Sequence, residues 1–362
     1  MSGSGNDRSE SEKNPCGNFT RLKARAPMEP ISERTLQKEQ TMQRRTFLQT
    51  SAALAVTASL PTMTSAAGAN PFPYPLTHAV TDASAPEVFF TKDISPAGLI
   101  KFYDRLGQKR QGKVGVKVCF ETPNGPHLDP KLVHAFADHV NGKLLDCTYY
   151  PPRDTVEKHL EVAKGNGFDT SRIDIIDAEG TVDLLIEGGK HLKFTRIGSH
   201  YNDYDTMIGL CRFKSHHIDF YGGMLKNLSI AIAPMEGKWL IHSVGRTDQS
   251  FVSSDDQSTT EAMADYVKGV MDAKKGRWVF LTVLDAVDPT DGCEGTKNLG
   301  NIGILASTDP VAIDQAAIDI TFGAAATPEL RREWEEHHST FLTSNAEAIG
   351  VGKTHYRFTP ID

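Results

Sequence analysis

Between positions 214 and 242 the sequence sets Lys214-Ser215-His216-His217, then Gly222-Gly223-Met224-Leu225-Lys226-Asn227, then Lys238 and His242. Imidazoles titrate near neutrality, so His216, His217 and His242 suit proton transfer or, when neutral, ligation of a metal. Lys226 stands between Leu225 and the apolar run Leu228-Ser229-Ile230. Desolvation lowers the pKa of an amine towards nucleophilic use. Lys214 and Asn227 offer a charge and an amide to an anion or cofactor, and Gly222 and Gly223 allow close approach of backbone to a ligand. Each of these residues also has a plainer reading as a solvated or core side chain.

The carboxylates of interest lie further on. Asp285, Asp288, Asp291 and Glu294 crowd one segment with Gly292 and Gly295. That pattern fits a hard cation such as Mg²⁺ or Ca²⁺, and it also fits an ordinary acidic turn. Asp309 precedes Pro310 and reads as a helix N-cap. Asp314, one turn into an apolar stretch, has no such evident task. Gly350-Val351-Gly352-Lys353-Thr354 imitates the end of a phosphate loop, but the earlier glycine that motif requires would fall at Glu347.

The elements that would position these groups alternate along the chain. Strand patterns fall at Val88–Thr91, Lys113–Phe120, Lys143–Asp146, Ile173–Asp177, Thr206–Arg212, Val279–Asp285 and Ile302–Ala306. Helices are expected after Ser95-Pro96 to Leu106, after Asp129-Pro130 to Val140, over Asp154–Lys164 and Thr260–Lys274, after Asp309-Pro310 to Phe322, and over Glu329–Leu342. Glu187-Gly188-Gly189-Lys190 reads as a hairpin turn between two short strands. Repeated βα units predict an α/β fold, a mostly parallel sheet with helices on both faces, in a single domain over 87–362. The Pro-rich stretch 70–86 reads as an irregular lead-in. In such folds ligands bind beyond the carboxyl ends of strands, which suits the segment after Arg212.

The chain has 362 residues and a formal net charge of −7. Residues 1–69 hold nine Lys/Arg and six Asp/Glu, so the remainder holds 30 and 40, a net of −10. An acidic body without a basic stripe argues against nucleic acid and anionic lipid as partners. Cys119, Cys147, Cys211 and Cys293 are too scattered for a CxxC pair, and Cys16 lies in the front segment. No local zinc or ferredoxin-type iron–sulfur motif follows. Separate thiols and one or two disulfides both remain open.

Residues 42–49 read Met-Gln-Arg-Arg-Thr-Phe-Leu-Gln. This resembles the twin-arginine export signal, two arginines followed by any residue, Phe and Leu. The Ala-rich run Thr50–Leu60 is shorter than the roughly 20 apolar residues that span a bilayer. Ala67-Gly68-Ala69 supplies small residues for signal peptidase, with cleavage before Asn70. The expected partners are therefore the twin-arginine machinery, signal peptidase and a small-molecule ligand, with no stable membrane span after cleavage and a periplasmic or other extracytoplasmic location. Residues 1–41 are polar and aperiodic, and read as a disordered extension or a start assigned too early.

Several motifs in combination resemble the domain of unknown function 362 family from about Val114 to Phe358. They are Lys214-x-His216, the Gly-x-x-x-Lys-Asn ending at Asn227, the later lysine with His242, Asp285 leading to Glu294-Gly295, the run Ala306–Asp314, and Ile349-Gly350-Val351-Gly352. Many members of that family carry ferredoxin-type cysteine clusters, which this sequence lacks. A more distant resemblance is to the nickel-pincer lactate racemase family, since His216, Lys226 and His242 are spaced by ten and sixteen with glycines before the lysine. That resemblance implies a catalytic role for His216, a covalent pincer nucleotide on Lys226 and nickel ligation by His242. Asn124-Gly125-Pro126-His127 looks like the same family's upstream Gly-x-His stretch, which makes His127 a further acid–base candidate. Two functions follow. One is a metal- or cofactor-dependent enzyme acting on a small hydroxy or carboxylate compound, with His127, His216, His217 and Lys226 catalytic, Lys214, Gly222, Gly223, Lys226 and Asn227 at a cofactor, and His242, Asp285 and Glu294 at a metal. The other is a non-catalytic binding protein that holds an anionic small molecule with Lys214, Lys226 and Lys238.

Overall fold

The computed structural model describes residues 70–107, 111–216, 220–287, 299–324 and 341–361, without the side chains of Ser215, His216, Phe220 and residues 323–324. These all belong to one compact unit that begins at Ala66. Its strands are β1 (Glu87–Thr91), β2 (Val114–Lys117), β3 (Gly142–Asp146), β4 (Ile173–Ile175), β5 (Thr181–Leu185), β6 (Phe194–Gly198), β7 (Thr206–Arg212), β8 (Lys214–His216), β9 (Phe220–Gly222), β10 (Trp278–Leu284), β11 (Gly303–Ser307) and β12 (Arg357–Pro360). Its helices are α1 (Pro96–Arg105), α2 (Pro130–Val140), α3 (Val156–Gly165), α4 (Met224–Asn227), α5 (Met235–His242), α6 (Asp256–Ala273), α7 (Pro310–Ile318) and α8 (Phe341–Ala348).

Eight strands form one sheet in the order β12-β1-β11-β10-β7-β2-β3-β4. All its pairings are parallel except those that β11 makes with β1 and β10. Two further pairs, β5 with β6 and β8 with β9, are small antiparallel ribbons. The sheet carries a core on each face because its central strands are apolar on both sides. On one face Val114, Val116, Ile208 and Leu210 meet Leu99 and Phe102 of α1 and Leu132, Val133 and Phe136 of α2. On the other, Met207, Cys211 and Phe280 meet residues of α4 to α8, among them Leu225, Leu240, Val267, Ala316 and Leu342.

The cap-plus-proline pattern is realised three times. The side chains of Ser95, Asp129 and Asp309 accept from backbone N–H groups in the first turns of α1, α2 and α7, each with proline at the start. α6 starts a turn earlier than its apolar periodicity does, because Asp255 caps Ser258. β2 stops at Lys117, short of Phe120. Val118 keeps one ladder bond to Leu145 O at 3.1 Å, after which Phe120 N turns to the Asp146 carboxylate at 3.3 Å. Glu121 then takes a positive φ of 60°, so the chain leaves the sheet there. The expected helix Glu329–Leu342 lies outside the described residues up to 340, and Phe341 and Leu342 open α8.

The strand order also locates a crevice. From β2 the chain builds outwards through β3 to β4, then returns to lay β7 against the other side of β2. The carboxyl ends of β2 and β7 therefore flank the point where the order reverses, the place where α/β sheets open a ligand site. No helix among the described residues is long and apolar enough to cross a membrane.

Candidate functional site

Charged side chains gather below the surface at this reversal. Lys117 ends β2 and Asp146 ends β3, and parallel pairing of Lys117 with Leu145 brings the two ends side by side. The Lys117 ammonium is fully buried. Its Nζ donates to Val118 O at 2.7 Å and to Asn227 Oδ1 at 3.1 Å, and lies 3.1 Å from Asp146 Oδ1, so all three of its protons are used. Asp146 Oδ2 accepts from His159 Nε2 of α3 at 3.2 Å. Burial alone would raise the Asp146 carboxyl, but Lys117 and His159 outweigh it and hold the group far below the ordinary carboxylate range.

Beyond the end of β2, Glu121 accepts from Lys214 Nζ of β8 at 2.8 Å. Burial opposes ionisation of Glu121, yet Lys214 outweighs it and the carboxyl stays below its usual range. Cys119, two residues before it, is a partly buried thiol pushed up by burial and by the Glu121 charge. Arg153 completes the group. It is 4% exposed, and its guanidinium lies 4.4 Å over the Tyr149 ring. The Arg153 Nε has no hydrogen-bond partner among the described residues. Burial opposes the Arg153 charge, but Cys119, Asp146 and Glu121 outweigh it through space, outside ion-pair distance, and hold the guanidinium above the usual arginine value.

Lys238 of α5 places a second cation 4.6 Å from the Tyr149 ring. Fully buried, it donates to Thr148 O at 2.9 Å and to Ala233 O, and sits 3.6 Å from Cys147 Sγ. Burial lowers its pKa, and burial also pushes the neighbouring Cys147 thiol up to about 12. Lys117 and Lys214 each face a carboxylate. Arg153 and Lys238 face none within ion-pair distance among the described residues, although Asp146 acts on both, and Asp177 on Lys238, through space.

Lys214 and Asn227 therefore stand in this cluster, although each already holds a protein partner. Asn227 also donates from Nδ2 to Lys117 O at 3.2 Å, which ties α4 to β2. Lys226, beside it on α4, is partly buried. Gly222 pairs with Lys214 across the β8–β9 ribbon. Gly223 has a different task from the one its sequence context indicates: a Cβ there would lie 2.5 Å from Asp314 Oδ1. It admits a carboxylate of the protein, where a ligand was expected. Asp314, fully buried, accepts from Met224 N at 2.6 Å and Leu225 N at 2.8 Å and so caps α4, with burial pushing it up to about 7. Asp309 is the N-cap that its position before Pro310 indicates, and it also accepts from Lys353 N at 3.0 Å.

His127 lies on the loop after β2, with Nδ1 2.7 Å from Gly125 O and its ring against Phe168. Phe168 packs on Phe120, and Phe120 on His159, so aromatic rings separate His127 from the charged cluster. His242 ends α5 and packs its ring 5.1 Å from that of Phe251. Asp285 accepts from Arg212 Nε at 2.6 Å, an ion pair where a metal ligand was expected. His217, Glu294 and Cys293 lie outside the described residues, as does the side chain of His216. Among the described residues no three His, Cys, Asp or Glu side chains converge as a metal cage. Cys119, Cys147 and Cys211 are free thiols.

Sequence reasoning missed Lys117, Asp146, Arg153, His159 and Glu121. A signal existed for two of them. Lys117 breaks the valine alternation of Val114-Gly115-Val116-Lys117-Val118, and Asp146 closes the apolar pair Leu144-Leu145. A charge at the end of a buried parallel strand points at the crevice.

No curated protein matches the chain. Among solved structures, a protein from Thermotoga maritima superposes with a TM-score of 0.38 at 11% identity, over 71% of this chain and 59% of its own length. The lactate racemase apoprotein from Thermoanaerobacterium thermosaccharolyticum gives a TM-score of 0.38 at 13% identity, over 64% of this chain and 56% of its own. The chain thus spans under two thirds of the length of either. A family model described as a domain of unknown function (DUF362) matches residues 114–319, from the start of β2 through α7, and the chain belongs to that family.

Proposed function

We propose that the protein is an exported enzyme that binds a small carboxylate-bearing or hydroxy-carboxylate compound at the β2/β7 crevice, with Arg153 as the carboxylate anchor. The single observation that carries this reading is Arg153 itself, 96% withdrawn from solvent with no anionic partner within ion-pair distance among the described residues. A buried guanidinium is stable only when its charge is answered, and its planar fork of donors matches a carboxylate. Stacking on Tyr149 holds that fork in one orientation before a ligand arrives. An enzyme is supported by the perturbed pKa values that gather in one crevice, with Cys119 raised and Glu121, Asp146 and Lys238 lowered, a pattern found at functional sites.

Calorimetric titration with a series of small mono- and dicarboxylates tests the reading. Wild-type protein is expected to bind members of the series, and Arg153→Gln to bind them about 10- to 100-fold more weakly, as for loss of a charge-assisted hydrogen-bonded pair. Equal affinity for wild type and Arg153→Gln would overturn it. Turnover of a bound compound in the same assay separates the enzyme from an anion-binding protein.

A further inference from the structure

At the β12 edge of the sheet, the lead-in before β1 is fastened to the domain through one buried carboxylate. Its backbone bridges to the approach to β12: Val80 N donates to Tyr356 O at 2.8 Å, and Tyr356 N to His78 O at 3.2 Å. Asp319 closes α7 and is 4% exposed. It accepts from His78 N at 2.9 Å, Tyr356 Oη at 2.9 Å and Gln315 Nε2 at 3.2 Å, and His78 Nδ1 lies 2.8 Å from its Oδ1. Thr343 of α8 donates to Gln315 Oε1 at 2.9 Å, which turns the Gln315 amide so that Nε2 meets the carboxylate. The backbone, phenol and amide donors are neutral. Among the described residues no lysine or arginine stands within ion-pair distance of Asp319, so the His78 imidazolium is the cation that answers its charge. The side chain of His78 is 29% exposed and exchanges its proton with solvent while the fold stays closed. Earlier in the lead-in Leu76 is buried, and the Phe72 ring lies 5.2 Å from Phe90 of β1 and 6.1 Å from Phe358 of β12.

We propose that residues 70–80 form a proton-gated strap, pinned to the domain by the His78–Asp319 pair while the imidazole is charged and loosened when it is neutral. The inference is independent of the crevice and its ligand. A buried carboxylate that loses its counter-ion is costly, so the docked strap favours the charged ring. The hydrogen bond to Asp319 outweighs partial burial, Asp319 and Glu347 of α8 add to it through space, and the pKa of His78 is raised above the ordinary 6.5. The other titratable groups on this side are His355, its ring 5.7 Å from that of His78, Tyr356, whose hydroxyl is spent on Asp319, and Lys353, 3.7 Å from Glu347. A loosened strap carries His78 at its ordinary value, so the pinned state binds the proton more tightly. The contribution of the pair is therefore complete below about pH 6.5 and is lost as the pH rises through the higher value of the pinned ring. A neutral ring can still donate from Nδ1, so the loosening is graded. It bares Phe90 and Phe358 where Phe72 covers them.

Hydrogen–deuterium exchange on the full chain tests the strap, read in peptides over residues 70–80 and over β2 and corrected for the intrinsic pH dependence of exchange. In a series from about pH 5.5 to about pH 8.5, protection of the strap peptide should fall at least about threefold while that of β2 holds. His78→Gln keeps a side-chain donor without the charge, so its strap should show the low, alkaline level of protection throughout the series. Should that variant fail to fold, the wild-type protein supplies a second measurement: the ring-proton resonances of His78 should titrate above pH 6.5, with the same midpoint as the loss of strap protection. Strap protection that is constant with pH in wild type, falls equally in His78→Gln, falls together with that of β2, or has a midpoint apart from the His78 titration overturns the proposal.

Discussion

Asp146 shows at the scale of one residue how the buried charges hold each other. Removing one partner of a buried ion pair leaves the other charge uncompensated, at a cost of about 3–5 kcal/mol. Asp146→Asn should therefore lower stability by that order at pH 7, measured by chemical denaturation, because Lys117 stays buried with two neutral acceptors. The same residue sets an acid limit. Its folded pKa lies below its unfolded value of 3.8, so the native state binds its proton later than the unfolded chain does. The stability it contributes is complete above about pH 4 and is lost as the pH falls below that. The gap between wild type and Asp146→Asn should consequently narrow as the pH falls from about 4 to about 2, in a scan that starts at about pH 6; a gap that widens towards acid would contradict the assignment.

α4 is the element through which the sheet, the crevice and α7 are joined. Its first N–H groups are held by Asp314 of α7 and its last residue, Asn227, by Lys117 of β2. Gly223→Ala would push a Cβ onto the Asp314 carboxylate and should cost about 1–3 kcal/mol in the ligand-free protein. A drop in Tm without any ligand present supports the packing role, whereas unchanged Tm with lost ligand affinity would restore Gly223 to a ligand-approach role. Asp309→Ala should cost about 1 kcal/mol or more, since it removes the cap of α7 and also the acceptor for Lys353 N. Elements of this kind were unevenly legible in the sequence. The βα alternation could be read because β7, β10 and the capped helices are long enough to show a period, and Ser95-Pro96, Asp129-Pro130 and Asp309-Pro310 announce themselves locally. β8 and β9 are three residues each and α4 is four, too short for any periodicity. Arg153 sits in the aperiodic Tyr149-Tyr150-Pro151-Pro152 approach to α3, and its burial depends on Tyr149 and Lys238 packing from elsewhere in the chain. The ion pair of Asp285 is hidden in the sequence for a related reason: its partner Arg212 lies 73 residues away, and only the parallel pairing of β7 with β10 brings them together.

For the whole molecule, the proposed export through the Arg44-Arg45 segment is testable apart from the crevice. Replacing Arg44 and Arg45 together with lysine should leave the protein in the cytoplasm at its full mass, and wild-type protein recovered from the periplasm should begin at Asn70. Fractionation with amino-terminal sequencing checks both, and equal periplasmic yields from the two proteins would exclude that route. The acidic remainder, net −10 over residues 70–362, repels small anions at long range. Any anion taken up must therefore be captured by the local field of Arg153 and Lys238, and raising ionic strength should change its Kd little, because a buried contact is screened less than exposed charges are. The most direct measurement is the Nε–Hε resonance of Arg153 in ¹⁵N-arginine-labelled protein, assigned with Arg153→Gln and followed while small carboxylates are added. A saturable shift of that resonance with the same midpoint as calorimetric binding is expected. Binding that saturates while the Arg153 resonance stays in place would contradict the carboxylate anchor.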